Sequence, residues 1–219
     1  MADIKALLAE SAARHSHLCP RQVLGVRAGL LGLAIFGYQV PPDNKQIIAI
    51  TETDGCFVDG LEVATRLTVG HRTLRIEDYG KIAVTFVHAT NGDAYRVSPR
   101  PDVRQTAWEY ASEESEQYAA QLHAYRVMPD SALLYICRVE LVTPVEKIIS
   151  TPGIRTICDS CGEEIINERS VSRNGLNLCR SCSGESYYHI RPDEQSEYFS
   201  LLTNSANTHT DAPPDNSLP

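Results

Sequence analysis

The spacing of hydrophobic positions predicts two helices at the start of the chain. Apolar residues recur at the three- and four-residue spacing of one helix face from Ile4 to near His15, which predicts a short amphipathic helix. Pro20 suits the first turn of a second helix that runs to about Gly37. Glycines inside a helix are destabilising unless another element packs close to them. The second helix contains three: Gly25, Gly29 and Gly32.

The following segments alternate between strand and helix patterns. Helical spacing returns at Val58–Leu67, and a longer helix with an acidic, wet face is predicted from Asp102 to about Arg126. Asn91-Gly92 predicts a hairpin between the strands on either side of it. The whole pattern predicts an α+β fold in which helices pack on a mostly antiparallel sheet. The predicted strands are Gln46–Glu52, Leu74–Glu77, Lys81–His88, Ala94–Val97 and Leu133–Val142.

Breaker residues divide the chain into three parts. Ser150-Thr-Pro-Gly153 separates an α+β domain at 1–150 from a cysteine-containing module at 151–190. Residues 191–219 are polar and acidic, and are predicted to be disordered.

Composition and charge exclude some classes of protein. The 219 residues are 42% hydrophobic and 22% charged, as in ordinary globular proteins. Apolar runs are too short to span a bilayer, and a secretion signal is not seen, so a cytoplasmic protein is expected. The net charge of -8, half of it in the acidic tail, disfavours binding to nucleic acid.

Four of the seven cysteines form two C-x-x-C pairs. Seventeen residues separate Cys161 from Cys179, a spacing typical of zinc sites. Four thiolates satisfy the tetrahedral preference of zinc and leave no open position, so the site is predicted to be structural. A redox dithiol or an iron–sulfur site is the alternative. The four predicted ligands are Cys158, Cys161, Cys179 and Cys182.

Local residues suit this module to a zinc ribbon or treble-clef fold. Gly162 can adopt the positive φ of a tight turn after the first pair, and Asn174-Gly175 resembles a hairpin turn. A helix is expected after Cys182. Three arginines could offset the charge of a metal bound by four thiolates: Arg155, Arg173 and Arg180.

A second group of metal-binding residue types lies where the first two helices meet. His15, His17 and Cys19 fall within five residues, and a helix N-terminus favours the thiolate of Cys19. Cys56 lies at another strand-to-helix junction, which could bring it to Cys19. The alternative is a helix cap with a partly buried thiol, and Cys137 is assigned to the core.

Four motifs in order resemble one protein family. His15-Ser-His-Leu-Cys-Pro20 with Leu24-Gly-Val-Arg27 is similar to its H-G-H-x-C-P-G-x-x-L-G-x-R opening. Gly55-Cys-Phe-Val-Asp59, Thr68-Val-Gly70 and Asp78-Tyr-Gly-Lys81 follow. The family is FmdE, which belongs to formylmethanofuran dehydrogenase, a molybdenum or tungsten enzyme of one-carbon metabolism. The resemblance covers roughly residues 10–185.

The resemblance implies a dimeric α+β domain with a metal-binding or active-site-like pocket. By position, that pocket would use His17, Cys19 and Cys56, with His15 as a further candidate. Asp59 and Lys81 occupy polar motif positions that could line it, although a helix-start carboxylate and a solvated strand end are equally good interpretations. The sequence departs from the family at Ser16, Arg21, Gly60, Glu62 and His71-Arg72.

These observations lead to two main functional hypotheses. The first is a metalloprotein of molybdenum or tungsten one-carbon metabolism, with a structural Zn²⁺ and a second metal or thiol site. In it Cys19, Asp59 and Lys81 would act in catalysis, and the partners would be a second copy of the chain and molybdenum or tungsten enzyme subunits. The second is a non-catalytic interaction or regulatory protein that docks through its zinc module. A nucleic-acid-binding module is a third option, opposed by a net charge of -1 over the module's side chains.

Overall fold

The computed structural model describes residues 3–39, 42, 45–149 and 151–189. Contacts divide the chain into two compact units, residues 1–149 and residues 150–219. The predicted disorder of 191–219 concerns residues outside the described part. No helix among the described residues is long and apolar enough to cross a membrane.

Seven helices belong to the first unit's described residues. The N-terminal helix begins at Asp3, whose carboxylate accepts a hydrogen bond from the Lys5 N–H. It ends at Ser16, which has left-handed backbone angles. The helices are α1 (Ile4–His15), α2 (Pro20–Ile35), α3 (Cys56–Thr65), α4 (Val103–Tyr110), α5 (Gln117–Val127), α6 (Asp130–Leu133) and α7 (Val145–Ile149).

The first unit has a mixed five-stranded sheet, in the order β2-β1-β3-β4-β5. Only β1 and β2 pair in parallel, and the other three pairs are antiparallel, which confirms the predicted α+β fold. The Asn91-Gly92 turn joins β3 to β4 as predicted. The strands are β1 (Ile47–Thr51), β2 (Leu74–Ile76), β3 (Val84–His88), β4 (Ala94–Pro99) and β5 (Leu134–Val139).

The prediction of one helix from Asp102 to Arg126 is wrong, because the chain forms α4 and α5 with a break between them. Ala111 is buried at the break, and Glu116 has an extended backbone just before α5 begins. Residues 112–116 contain only serine and glutamate. The glutamates repel one another and the serines compete for backbone hydrogen bonds, so this segment gives little support to a continuous helix.

The second unit consists of two short hairpins and one helical turn. The hairpins are β6 (Arg155–Ile157) with β7 (Glu164–Ile166), and β8 (Val171–Arg173) with β9 (Leu176–Leu178). Asn174 and Gly175 have positive φ, as a tight hairpin turn requires. The helix expected after Cys182 is a single π-helical turn at Ser181–Glu185.

Candidate functional site

Close packing of α2 on α3 sets the position of the N-terminal site. A Cβ on Gly25 would overlap the Phe57 carbonyl oxygen and lie 2.9 Å from the Leu61 nitrogen. A Cβ on Gly60 would likewise overlap the Gln22 carbonyl oxygen. The glycines of α2 are therefore explained by a helix that packs against them. Gly60, where the family commonly has alanine, allows the same close approach from α3.

The start of α2 is held by Gln22, which is fully buried. Its side-chain oxygen accepts a 2.7 Å hydrogen bond from the Cys19 N–H, and its side-chain nitrogen donates at 3.0 Å to the Ser11 carbonyl. These bonds fix Cys19 at the helix N-terminus and tie α1 to α2. The motifs did not single out Gln22, although a glutamine at the third position after a helix cap is a known capping signal.

Cys56, His15 and Asp59 form a connected chain of polar side chains. The Cys56 sulfur lies 3.1 Å from Nε2 of His15, and Nδ1 of His15 lies 2.9 Å from an Asp59 carboxylate oxygen. The ring of His17 packs edge-on against that of His15, with centroids 5.2 Å apart. Asp59 therefore fixes the orientation of the imidazole, and the other ring nitrogen faces the Cys56 thiol.

The two thiols are close enough to influence each other. Burial, followed by the hydrogen bond and charge of Cys19 and then the charge of Asp59, raises the pKa of Cys56. The pKa of Tyr118 is also raised, first by burial and then by the charges of Cys19 and Cys56. Without a bound cation, this environment keeps the Cys56 thiol protonated. The structure thus brings Cys56 to Cys19, at the adjoining N-termini of α3 and α2.

A cavity of about 410 Å³ opens in front of these thiols. His15, Asp59 and Lys81 are not among the described residues that line it. Lys81 is exposed, and its charge helps to lower the pKa of Glu52, after the larger effect of Arg96. The lining residues are His17, Cys19, Pro20, Arg21, Leu24, Cys56, Ile82, Arg104, Gln117, Tyr118, Gln121 and Tyr125.

Arg27 anchors the far wall of this cavity. Its guanidinium donates to the carbonyl oxygens of Tyr125 and Met128 at 2.8 and 2.7 Å, and pairs with Asp130 at 2.6 Å. These bonds connect α2 to the end of α5. Tyr118, one of the lining residues on α5, donates a 3.3 Å hydrogen bond to the Leu18 carbonyl. The arginine of the opening motif therefore has a structural role.

The second candidate site is the four-cysteine cluster, Cys158, Cys161, Cys179 and Cys182. Their sulfur atoms all lie within 4.8 Å of one another, an arrangement that could hold a metal ion. Among the described residues, it is the one group of three or more such ligands that meets this distance. The Cys179 N–H donates to the Cys158 sulfur at 3.3 Å, and the Cys182 N–H donates to the Cys179 sulfur at 3.4 Å.

The electrostatics of this cluster are those of crowded thiols. Hydrogen bonds from the backbone of Cys161 and then Cys179 lower the pKa of Cys158 to about 6. A backbone bond from Glu163 lowers the pKa of Cys161, but burial and the three neighbouring thiols outweigh it and raise that pKa to about 12. Four thiolates therefore cannot coexist near neutral pH without a cation between them.

The three arginines near this cluster pair elsewhere in the second unit. Arg155 pairs with Glu164 and Arg180 with Glu185, at 2.9 and 2.8 Å. Arg173 donates to the Ser183 carbonyl at 3.0 Å. Gly162 has a φ of +77° in the turn after the first cysteine pair, as predicted. The backbone N–H donors, rather than these arginines, supply the polar contacts that the sulfurs receive.

Comparisons with known proteins reveal relatives that cover most of the chain. A protein from Archaeoglobus fulgidus named "Probable S-adenosyl-L-methionine-binding protein" is 29% identical over 196 residues, which are 80% of this chain and 52% of that protein. The chain therefore spans about half the length of this curated relative. A crystal structure of a tungsten formylmethanofuran dehydrogenase FmdE-like protein from Syntrophus aciditrophicus has a similar fold. Its TM-score is 0.54 at 23% identity, over 86% of this chain and 96% of that one.

The family comparison covers most of the first unit and its motifs. The family model described as "FmdE, Molybdenum formylmethanofuran dehydrogenase operon" matches residues 14–135, which are more than half of the chain. The match includes all four motifs that carry the sequence resemblance, and it includes Cys19 and Cys56. The chain belongs to the FmdE family and carries a C-terminal four-cysteine cluster that could hold a metal ion.

Proposed function

We propose that this FmdE-family protein is a metal-binding protein of molybdenum- or tungsten-dependent one-carbon metabolism with two metal sites. The four-cysteine cluster would hold a structural Zn²⁺. A second ion would bind at the N-terminal site through Cys19, Cys56 and His15, with His17 as a further ligand. The observation that carries the proposal is the chain Cys56–His15–Asp59 beside Cys19.

The donor set of the N-terminal site suits a transition metal ion. Thiolate and imidazole are ligands of Zn²⁺ and of softer transition metals. A metal-bound histidine usually donates its other ring N–H to a carboxylate, and Asp59 is placed to accept that bond from His15. A cation would also relieve the mutual repulsion that raises the pKa of Cys56.

The residues would need small movements to complete this site. Outside the four-cysteine cluster, no three candidate ligand atoms in the described part lie within 4.8 Å of one another. An ion would therefore engage two ligands first and draw in a third by side-chain rotation. A metal ion bound here would polarise an oxygen of a bound molecule. Asp59 would act as a positioning residue through His15, and Lys81 has no part in the proposal because it lies outside the cavity lining.

Metal analysis of matched variants tests this proposal. Anaerobically purified protein should contain about two metal equivalents per chain, one per proposed site. Cys19→Ser should lose one of them, and Cys137→Ser should lose neither, because Cys137 lies on β5 and bonds only to its own strand's backbone. One equivalent in the wild type, with no change in Cys19→Ser, would overturn the second site.

Family membership supports two further parts of the proposal, a homodimer and association with molybdenum or tungsten enzyme subunits. Light scattering after size-exclusion chromatography would measure the first. Co-purification with those subunits would test the second. A monomer that never co-purifies with them would reject both.

Exposed apolar side chains in the second unit favour a second candidate function, an interaction or regulatory protein without catalysis. Ile157, Leu176 and Tyr187 are 55%, 48% and 95% exposed, although the module is small. Exposed apolar residues of this size are typical of docking surfaces when they are contiguous. A protein with one zinc per chain, whose partner binding is lost in Ile157→Ser and kept in Cys19→Ser, would favour this function.

A further inference from the structure

The wall of the cavity that faces the thiols carries positive charge. Arg104 on α4 and Arg21 in the first turn of α2 both line it, and none of the described lining residues is acidic. Neither guanidinium has a hydrogen bond or ion pair to another described residue. Elsewhere in this unit arginines are paired: Arg27, Arg66 and Arg96 each contact a carboxylate. The cavity thus gathers two guanidiniums that the described part of the protein leaves without a counter-ion.

Apolar and amide groups complete the cavity between these charges and the thiols. Leu24, Ile82 and the ring of Tyr118 supply apolar surface, and Gln117 and Gln121 supply amide groups. Tyr125 is buried apart from its contribution to the lining. Burial raises its pKa and the Arg104 charge opposes that rise, which places Arg104 near the tyrosine hydroxyl. The cavity volume of about 410 Å³ is in the range of small-molecule sites.

We propose that this cavity binds a small organic anion, a carboxylate or a phosphate ester with an apolar body. Arg104 and Arg21 bind the charged group, and the apolar body lies against Leu24, Ile82 and Tyr118. The other end of the molecule then faces Cys19 and Cys56. This inference rests on the proposed function for the meaning of that end, because it makes the anion the molecule presented to the thiol–imidazole site.

The guanidinium groups explain why an anion is favoured over a neutral molecule. A guanidinium binds a carboxylate or phosphate through paired N–H donors, and such charge-assisted hydrogen bonds are stronger than neutral ones. Both arginines are exposed, so water weakens each interaction taken alone. Their convergence on one concave surface gives selectivity that a single surface arginine would not.

Titration with matched ligands tests the inference. The probes are 3-phenylpropionate, its neutral amide 3-phenylpropanamide, and phenyl phosphate, with binding followed by chemical-shift changes of the full chain. The better of the two anions should bind about tenfold more tightly than the amide, the value of one good charge-assisted contact. The ranking of phenylpropionate against phenyl phosphate identifies which anion class the cavity prefers.

Two arginine variants separate contact from general charge. Arg104→Gln should abolish the selectivity for the anion. Arg100→Gln removes the same charge four positions earlier, from a residue that pairs with Asp102 and does not line the cavity, and should keep it. Equal binding of anion and amide, or equal loss in both variants, would overturn the inference.

The same titration in Cys19→Ser separates this inference from the proposed metal site. Selectivity that survives in Cys19→Ser and is lost in Arg104→Gln supports binding by the arginine, whether or not a second metal exists. Selectivity lost in Cys19→Ser and kept in Arg104→Gln shows that the metal binds the anion and rejects the role of the arginine. A second metal in a wild type that shows no anion selectivity rejects only this inference.

Discussion

The two thiol sites of this protein differ in what holds their cysteines in place. Cys19 and Cys56 stand at the N-termini of α2 and α3, which pack backbone against backbone within a large hydrophobic core. The four-cysteine cluster joins hairpins of three-residue strands, and its described core has only Cys158, Ile165 and Leu178 as buried members. One site is supported by the fold, and the other must itself support a fold.

This difference separates a site that can react from a site that can only stabilise. Four thiolates saturate a tetrahedral ion, so the binding energy of the metal goes into folding the module. The N-terminal site has fewer ligands, a fixed imidazole and an open cavity, so a ligand can approach it. Removal of metal should therefore unfold the second unit, and should only empty the site of the first.

The largest expected effect follows from replacing all four cysteines of the cluster, Cys158, Cys161, Cys179 and Cys182, by serine. The variant should lose about one metal equivalent per chain, because serine hydroxyls are poor zinc ligands. Residues 151–189 should lose their amide protection from hydrogen exchange, since their core is too small to fold alone. The first unit should keep its protection.

Cys137→Ser is the matched control for this experiment, and should keep both the metal and the protected amides. Unchanged metal content in the quadruple variant would contradict a metal site at this cluster. Protected amides at 151–189 without metal would break the comparison, because the second unit would then be held by packing as the first is.

The next largest effect concerns the packing that supports the N-terminal site. Gly25→Ala should destabilise the first unit by about 2 kcal/mol in urea unfolding, because its Cβ would overlap the Phe57 carbonyl. The helices would have to separate, and Cys56 would move away from Cys19. Gly70→Ala is the control, since nothing lies within 4 Å of a Cβ there and its φ is not left-handed. Equal stability of the two variants would show that the helix contact is not what places the thiols.

Much of this fold could be predicted from local sequence patterns. The helix face of α1, the proline that begins α2 and the Asn-Gly hairpin each depend on nearby residues, and each is found where it was predicted. The glycines of α2 indicated a close neighbour but not which one. The break between α4 and α5 was missed, because helical spacing continues across residues whose charges and hydroxyls oppose a helix.

The candidate site was predicted less completely than the fold. The motifs pointed to His15, Cys19, Cys56 and Asp59, and the structure adds that Asp59 reaches Cys56 only through His15. Gln22 and the wall formed by Arg104 and Tyr118 were not predicted. These contacts join residues far apart in the chain, and they depend on the packing of α5 over α2, which no local pattern encodes.

A smaller effect is expected from the carboxylate that orients His15. Asp59→Asn should weaken metal binding at the N-terminal site by about 10–100-fold and leave the four-cysteine cluster unchanged, because loss of an outer-shell carboxylate typically has this cost. Competition with a series of chelators measures both sites. Asp54→Asn, an exposed aspartate in the same loop, should change neither. Equal weakening by both substitutions would mean that general negative charge, rather than the orientation of His15, matters.

The smallest effect distinguishes how acid acts on the two units. Arg96 binds both oxygens of Glu52, at 2.5 and 2.8 Å, and this bond lowers the pKa of Glu52 below its usual 4.5. Because the folded-state pKa is depressed, the stabilisation is fully present above about 4.5 and is lost as the pH falls through the folded value. The metal of the second unit should instead be released at higher pH, since protons compete for the thiolates that bind it.

Glu52→Gln should therefore cost the first unit about 1 kcal/mol or less at pH 7, and the difference from wild type should shrink toward zero on acidification. Urea unfolding of the first unit at a series of pH values, with metal release followed in parallel, measures both responses. Glu77→Gln is the control, because Glu77 is exposed and should show no such convergence. A Glu52→Gln difference that stays constant with pH would show that the side chain contributes through packing and not through its charge. Metal release that tracks the unfolding of the first unit would show that the two units do not respond to acid independently.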